Sequence, residues 1–111
     1  MTWKPVLWVG TSREDLKRFP VAVRRRAGHE LDLLQRGLDP TDSKPMLVVG
    51  PGVQELRIRA GGAFRVFYVA KFEEAIYVLH AFQKRSRRTS RLDIGVAGKR
   101  YREVVSRRSR S

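Results

Sequence analysis

Residues 63–82 read AFRVFYVAKFEEAIYVLHAF, and they predict two neighbouring strands of a sheet. β-Branched and aromatic side chains dominate it on both sides of Glu73-Glu74, a pattern typical of two strands joined by a tight hairpin. The preceding segment VQELRIR (53–59) alternates apolar and polar residues, as a half-buried strand does. Gly61-Gly62 then provides a turn, because glycine tolerates positive φ. We therefore predict a three-stranded antiparallel meander over residues 53–82.

The residues before the meander predict one more strand and a helical hairpin. A short apolar run at 6–9 ends at Gly10, and Ser12 begins a first helix that Pro20 limits. Pro20 also suits the first turn of a second helix. Apolar residues recur there at steps of three and four: Val23, Ala27, Leu31, Leu34 and Leu38. Residues 39–52 hold three prolines and two glycines and predict a loop.

The C-terminal segment predicts a helix over about 90–105. Its apolar stripe comprises Ile94, Ala97, Tyr101 and Val104, and the basic tail 106–111 is expected to fray. The element order is thus β-α-α-β-β-β-α. We predict an α+β fold in which an antiparallel sheet carries a helical hairpin and a C-terminal helix, in a single domain over residues 1–111.

The charge of the chain is concentrated near its C-terminus. The formal net charge is +13, and residues 84–111 hold 11 Lys and Arg against 2 Asp and Glu. In QKRSRRTSR (83–91), a strand-like run ends in a burst of cations. Such a distribution indicates a polyanionic partner, either a nucleic acid or an acidic protein surface.

Several classes of function are excluded by composition. The chain has no cysteine, so disulfides, thiol catalysis and thiolate metal sites are ruled out. His29 and His80 are isolated from each other and from clustered carboxylates, so we expect no metal site and no cofactor. The N-terminal MTWKPVLWVGTSRED lacks the apolar run of a signal peptide, and no stretch has the length of a membrane span. We expect a soluble cytoplasmic protein that has no contact with a membrane.

The segments TSREDLKRFP, ELRIR, FRVFYVAKF and AIYVLHAFQKR, followed by an amphipathic helix, resemble the RelE/ParE toxin superfamily. They are most similar to its phage-derived HigB-like branch, over roughly residues 3–105. The resemblance implies a RelE-like fold and a toxin that cleaves mRNA, usually on the ribosome. It also implies silencing by a co-encoded antitoxin, typically a HigA-like helix-turn-helix protein. Arg85 stands where members of the family often have a second lysine, and Thr89-Ser90 stands where they have Thr-Pro.

The resemblance also implies roles for particular residues. Arg65 matches the arginine that stabilises the transition state, Arg85 the arginine at the strand end, and Arg57 the cation of the preceding strand. Lys84 would clamp a phosphate, and further cations would attract RNA: Arg59, Arg87 and Arg88. Guanidinium groups suit these roles, since their planar fork donates two hydrogen bonds to phosphate oxygens.

Structural roles compete with these functional ones. Arg57 could be a solvated strand residue, and solvated charge or general RNA attraction is the favoured interpretation of Arg87 and Arg88. Arg65 lies between Phe64 and Val66, where a charge needs a partner or an open cleft. Glu55 could be that partner in a structural ion pair.

His80 is the histidine that could move protons. Under strict alternation it would share a face with Ile76, Val78, Phe82 and Lys84, in the core and away from Arg85. A structural role for His80 is therefore favoured, and a catalytic one stays open.

Two other functions remain open besides that of an mRNA endoribonuclease. A ParE-like inhibitor of DNA gyrase would use the same scaffold without cutting anything. A non-catalytic protein that binds RNA or the ribosome would show steeply salt-dependent binding and no cleavage. Relatives in the RelE branch have a tyrosine a few residues after the strand-end arginine, whereas the late tyrosine here is Tyr101.

Overall fold

The computed structural model describes residues 3–110 and has five strands and three helices. In chain order these are β1 (Val6–Trp8), α1 (Ser12–Lys17), α2 (Val21–Gln35), β2 (Ser43–Pro45), β3 (Val53–Arg59), β4 (Ala63–Val69), β5 (Ile76–Lys84) and α3 (Arg91–Arg110). The strands form one mixed sheet in the order β1-β5-β4-β3-β2. The α+β class is therefore confirmed.

The central meander β3-β4-β5 is antiparallel, as predicted. The sheet as a whole is not antiparallel, because β1 pairs in parallel with β5 through Val6↔Ile76 and Trp8↔Val78. A second correction concerns the loop 39–52, where β2 pairs with β3 through Ser43↔Leu56. Pro45 is tolerated there because β2 is an edge strand that needs only one side of its backbone for pairing.

Helices α1 and α2 cover one face of the sheet, which we call the α1/α2 face. The stripe of α2 is buried at Val23, Ala27, Leu31 and Leu34, against Leu56, Val66 and Val78 of the sheet among others. Leu38 was predicted to extend this stripe, but α2 ends at Gln35 and half of Leu38 is exposed. Gly37, at φ +77°, follows the last turn and ends the helix.

Helix α3 covers the opposite face, which we call the α3 face. Its stripe packs as predicted, with Ala97, Tyr101 and Val104 buried against Val53, Phe67, Leu79 and Phe82. The Tyr101 hydroxyl donates to the carbonyl of Pro51 at 2.8 Å, and a Cβ at Gly50 would lie only 2.5 Å from the tyrosine ring. The loop before β3 therefore closes tightly over α3.

The ends of α3 differ in how well the sequence predicted them. Ser90 caps the N-terminus, because its Oγ accepts a hydrogen bond from the backbone N–H of Asp93 at 3.1 Å. The helix thus begins where it was predicted to begin. At the other end the helix continues to Arg110, so its predicted end near residue 105 is wrong. Fraying of the tail 106–111 stays a prediction, as does the single domain.

Candidate nucleic-acid interface

Three neighbouring strands bring cations together on the α3 face. Arg57 and Arg65 are register partners across β3 and β4, and Phe82 of β5 stands opposite Arg65. In the next row Arg59 stands opposite Ala63, which stands opposite Lys84. We call the positions Arg57, Arg59, Arg65 and Lys84 the cationic face. The alternation of side chains along each strand places all four on one side of the sheet.

Arg65 is the most buried member of the cationic face, with 4% of its surface exposed. Its Nη1 donates to the carbonyl of Phe64 at 3.1 Å, while its Nε has no hydrogen-bond partner among residues 3–110. The nearest carboxylate is Glu55, with Oε2 at 3.6 Å from Nε. Burial lowers the pKa of Arg65; the Glu55 carboxylate counteracts this effect, and the charges of Arg57 and Arg59 add to it. The structural ion pair considered from the sequence is therefore present, but it is too long for a hydrogen bond.

Arg57 is partly exposed and has its own carboxylate. Its Nε and Nη2 both donate to Oδ1 of Asp42, at 3.0 and 2.7 Å. The two residues also meet through the backbone, where the N–H of Arg57 donates to the carbonyl of Asp42 at 2.9 Å. Arg57 is thus not simply solvated: the residue before β2 holds it from both its backbone and its side chain.

His80 lies on the α3 face because β5 contains a bulge. Phe67 is paired with His80 but Tyr68 is paired with Val78, so Leu79 is an extra residue. Alternation is interrupted at this point, and Leu79 and Phe82 pack on the α3 face while Val78 and Ala81 pack on the α1/α2 face. The prediction that His80 shares a face with Ile76 and Val78 is therefore wrong. It shares one with Phe82, on whose ring it stacks at 5.0 Å between centroids.

The imidazole of His80 is nine-tenths buried and bonded on one side only. Its Nε2 lies 2.7 Å from Oδ1 of Asp93 in the first turn of α3. Its Nδ1 is buried and has no hydrogen-bond partner in the described part of the chain. His80 is therefore placed beside the cationic face, and RNA could reach Nδ1 only if the side chains around it moved.

The end of β5 and the start of α3 enclose a cleft of about 300 Å³. Its walls contain Phe82, Lys84, Arg85, Arg88, Ser90 and Asp93. Arg85 and Arg88 are exposed, and Oγ of Ser86 donates to the carbonyl of Arg88 at 2.8 Å, which holds the loop in a turn. The exposed Arg87 does not belong to this lining. The cleft therefore combines two exposed guanidinium groups, an ammonium group and an aromatic ring, which are the groups that bind phosphates and bases.

Three carboxylates lie beside the basic side chains of this region: Asp42 beside Arg57, Glu55 beside Arg65, and Asp93 beside His80. Of these, sequence reasoning identified only Glu55. The contact of Asp42 with Arg57 was not predicted, because Asp42 lies in the segment 39–52, which was expected to be a loop. Asp93 had a usable signal, because Ser90-x-x-Asp93 is a capping pattern that places the carboxylate in the first turn of α3, near the end of β5. Oγ of Ser90 also donates to Oδ2 of Asp93 at 2.6 Å, so that both carboxylate oxygens are engaged.

Within residues 3–110 no three histidine, aspartate or glutamate side chains converge as metal ligands would. No helix in the same range is long and apolar enough to cross a membrane.

The fold and the site together define a small basic α+β protein whose sheet presents paired arginines beside a cationic cleft. The family model "Phage derived protein Gp49-like (DUF891)" matches residues 14–102. This match runs from α1 into α3 and includes the whole meander, and the chain belongs to this family, which is part of the RelE/Gp49 toxin-like family. No match was found among curated proteins.

Proposed function

We propose that this protein is the toxin of a type II toxin–antitoxin system, of the HigB-like branch and with a RelE-like fold, and that it cleaves mRNA on the ribosome. The observation that carries the proposal is the state of Arg65. It is buried and faces Arg57 across the ladder, and its guanidinium Nε has no hydrogen-bond partner within residues 3–110. A buried cation that is incompletely paired gains stability from an additional anion, and an RNA phosphate provides one.

Cleavage would proceed by attack of the ribose 2′-oxygen on the adjacent phosphorus. The bond from the 2′-oxygen to phosphorus forms, the bond from phosphorus to the 5′-oxygen breaks, and a 2′,3′-cyclic phosphate and a 5′-hydroxyl result. Negative charge grows on the phosphate oxygens at the transition state, where fixed guanidinium groups stabilise it most. Arg65 and Arg57 would hold these oxygens, and Arg85 would approach from the strand end. This chemistry uses the charge of the protein itself and needs no metal ion.

The remaining cations would hold the flanking RNA. Arg59 and Lys84 stand one row beyond the arginine pair, and Arg88 lines the adjoining cleft. Phosphates bound there would fix the register of the RNA without reading its sequence. Arg87 would add long-range attraction only. Two exchanges of protons are needed during cleavage, and the imidazole of His80 is the side chain of this region that could take part in them.

A partner is expected to silence the protein. The antitoxin would be a HigA-like helix-turn-helix protein, and an acidic helix or extended segment of it would cover part of the cationic surface. Opposite charges would favour fast association, which matters when a toxin must be neutralised as it is made.

An induction experiment tests the proposal. Wild type, Arg65→Ala and Arg85→Ala are expressed, and the 5′ ends of cellular mRNA are mapped. Arg26→Ala is the matched control, because Arg26 is an exposed cation on α2, away from the cationic face. We expect new 5′ ends in register with reading frames in wild type and the control, and their loss in the other two variants.

The other outcomes discriminate between the functions. Growth arrest with intact mRNA and altered plasmid supercoiling would replace the nuclease with a gyrase inhibitor. RNA binding with a steep salt dependence and no new 5′ ends would leave a non-catalytic binder. Cleavage by Arg65→Ala at the wild-type rate would remove Arg65 from the mechanism.

A further inference from the structure

Helix α3 contacts the bulge of β5 at two points. Oδ1 of Asp93 lies 2.7 Å from Nε2 of His80, and Nη1 of Arg100 donates to the carbonyl of Leu79 at 2.9 Å. Asp93 and Arg100 are seven residues apart, or about two helical turns, so both project from the same side of α3. One helix therefore holds the bulged residue by its backbone and the following histidine by its ring.

The guanidinium of Arg100 also makes a hydrogen bond outside β5 and α3. Nη2 of Arg100 donates to Oγ1 of Thr11 at 2.9 Å, in the turn between β1 and α1. Gly10 in that turn has φ +58°, and a Cβ there would lie 2.5 Å from Nε of Arg100. The guanidinium thus fills the space that a larger residue would take, and the bulge is locked between α3 and the β1–α1 turn.

The contact made by Asp93 decides where His80 carries its proton. A carboxylate accepts hydrogen bonds only, so the neutral imidazole must have its proton on Nε2 in order to bond Asp93. Nδ1 then keeps its lone pair, which agrees with its lack of a hydrogen-bond partner in residues 3–110. The opposite tautomer would direct the lone pair of Nε2 at the Asp93 carboxylate and would leave a buried N–H at Nδ1 without a partner in the same range.

We propose that Asp93 is a positioning residue for His80, which keeps the proton on Nε2 and leaves Nδ1 as the base on the side of the sheet that carries Arg65. In the proposed cleavage, on which this inference rests, Nδ1 takes the proton of the 2′-hydroxyl as the 2′-oxygen bonds to phosphorus. The bond from phosphorus to the 5′-oxygen breaks in the same reaction, and the 5′-oxygen takes up a proton from solvent water. His80 becomes an imidazolium, whose charge Asp93 balances across the 2.7 Å contact. Because Nδ1 is buried, RNA must displace a covering side chain before this step.

The chain offers a direct spectroscopic test, since it has only two histidines. Long-range ¹H–¹⁵N NMR correlations distinguish the two tautomers of a neutral imidazole. His29 is exposed on α2 and provides an internal reference. We expect a single tautomer with the proton on Nε2 for His80 in wild type, and a mixture in Asp93→Ala. The spectrum of His29 should be the same in both proteins.

Ser90→Ala is the matched control. It removes the cap of α3 and one partner of Asp93 but leaves the carboxylate beside His80. Loss of the cap should weaken the N-terminal end of α3, so Ser90→Ala shows what weakening of the helix alone does. We expect it to keep the single tautomer of His80. A mixture of tautomers in Ser90→Ala equal to that in Asp93→Ala would assign the effect to the helix end and overturn the proposal.

Cleavage provides the second arm of the test. His80→Gln should reduce the rate by roughly 10²- to 10⁴-fold if it removes a general base. Asp93→Ala should reduce it less, by roughly 10- to 100-fold, as for other partners that orient a functional histidine. A wild-type rate in Asp93→Ala, or a wild-type His80 with its proton on Nδ1, would overturn the proposal. If wild type itself cleaves no RNA, the proposed function and this proton transfer fall together, and the tautomers alone decide whether Asp93 orients the ring.

Discussion

Arg57 and Arg65 stand directly opposite each other on adjacent antiparallel strands. Like charges at such positions destabilise a sheet. Each arginine has a carboxylate of its own, since Asp42 binds Arg57 at 2.7 Å and Glu55 lies 3.6 Å from Arg65. Glu55 is too far from Arg65 for a hydrogen bond, so we expect a bound phosphate to stabilise the Arg65 guanidinium further.

A charge-pair cycle separates the catalytic role of Arg65 from a structural one. Arg65→Gln leaves Glu55, which is 2% exposed, with only the Lys44 ammonium group at 3.8 Å, and should destabilise the protein by up to roughly 3–5 kcal/mol. Glu55→Gln combined with Arg65→Gln removes both charges and should recover most of that loss. We expect the double variant to fold and yet cleave no RNA. Urea unfolding and the mapping of 5′ ends measure the two quantities.

The cycle would also expose an error in this assignment. If the double variant regained wild-type cleavage together with its stability, Arg65 would serve only to neutralise Glu55. Lys44 lies 3.8 Å from the other oxygen of Glu55. The unfolding free energy of Lys44→Gln therefore shows how much this second cation contributes to balancing the charge of Glu55.

Asp42 should compete with RNA for Arg57. Asp42→Asn removes the carboxylate but keeps the backbone hydrogen bond between the two residues. Because an exposed ion pair contributes about 0–1 kcal/mol, the Kd for a short RNA should fall by up to roughly fivefold at low salt. Fluorescence anisotropy of a labelled RNA measures this change.

Asp39→Asn is the control for Asp42→Asn. It deletes one negative charge from an exposed residue three positions away. A general electrostatic effect would tighten RNA binding equally in both variants, whereas release of Arg57 would tighten it only in Asp42→Asn. Weaker binding by Asp42→Asn would mean instead that Asp42 holds Arg57 in its binding position.

The meander and the helices could be predicted because their side chains follow a regular period. The face of the sheet on which His80 lies could not be predicted, because it depends on one extra residue in β5, Leu79, and a bulge leaves no periodic signal in the sequence. The bulge exists because tertiary contacts support it, among them the hydrogen bond from Arg100 to the carbonyl of Leu79. Strict alternation therefore grouped His80 correctly with Phe82, which follows the bulge, but wrongly with Ile76 and Val78, which precede it.

In the candidate site, too, some residues could be predicted from the sequence and others could not. The cations at alternate positions of β3 and β4 could be placed on one face because a strand repeats every two residues. The counter-ion of Arg65 could be placed in the same way, since Glu55 precedes Arg57 by two residues on β3, but the counter-ion of Arg57 could not. Asp42 approaches Arg57 only because β2 adds to the edge of β3, and β2 is a three-residue strand inside a segment rich in proline. Such a strand has too few residues to show a period.

Gly10 should tolerate alanine less well than Gly61 does. Both have positive φ, at +58° and +71°, so alanine is strained at either position by roughly 1–2 kcal/mol. A Cβ at Gly61 meets nothing within 4 Å, whereas one at Gly10 would displace the guanidinium of Arg100. Loss of the hydrogen bonds that this charged group makes should cost Gly10→Ala a further 1.5–3 kcal/mol or so.

The difference between the two glycine variants is the quantity to measure, by urea unfolding at neutral pH. Arg100→Met should be destabilised because it loses the same hydrogen bonds. When Gly10→Ala is added to Arg100→Met, the further loss of unfolding free energy should therefore be little more than the loss that Gly61→Ala causes in wild type. Equal losses in Gly10→Ala and Gly61→Ala would show that Arg100 does not brace the bulge.

Glu74 should make the docking of the end of α3 sensitive to acid. Nε of Arg108 donates to Oε2 of Glu74 at 2.6 Å, and the Tyr77 hydroxyl donates to the same oxygen at 2.9 Å. The hydrogen bond from Arg108 is the main cause that lowers the pKa of Glu74 from 4.5 to about 2. A carboxyl with a lowered pKa in the folded protein stabilises it above the unfolded pKa, and this stabilisation disappears as the pH falls. The contribution should therefore be complete above about pH 4.5 and lost towards pH 2.

Glu74→Gln should remove this part of the pH dependence. Urea unfolding of the variant and of wild type is compared at several pH values, and the gap in unfolding free energy should be constant near neutral pH and close between about pH 4.5 and pH 2. Glu73→Gln is the control, because Glu73 is the exposed neighbour in the same turn and carries the same charge. A gap that stays unchanged down to pH 2 would mean that Glu74 acts through packing rather than charge, and an identical closing gap for Glu73→Gln would assign the effect to the overall charge of the protein.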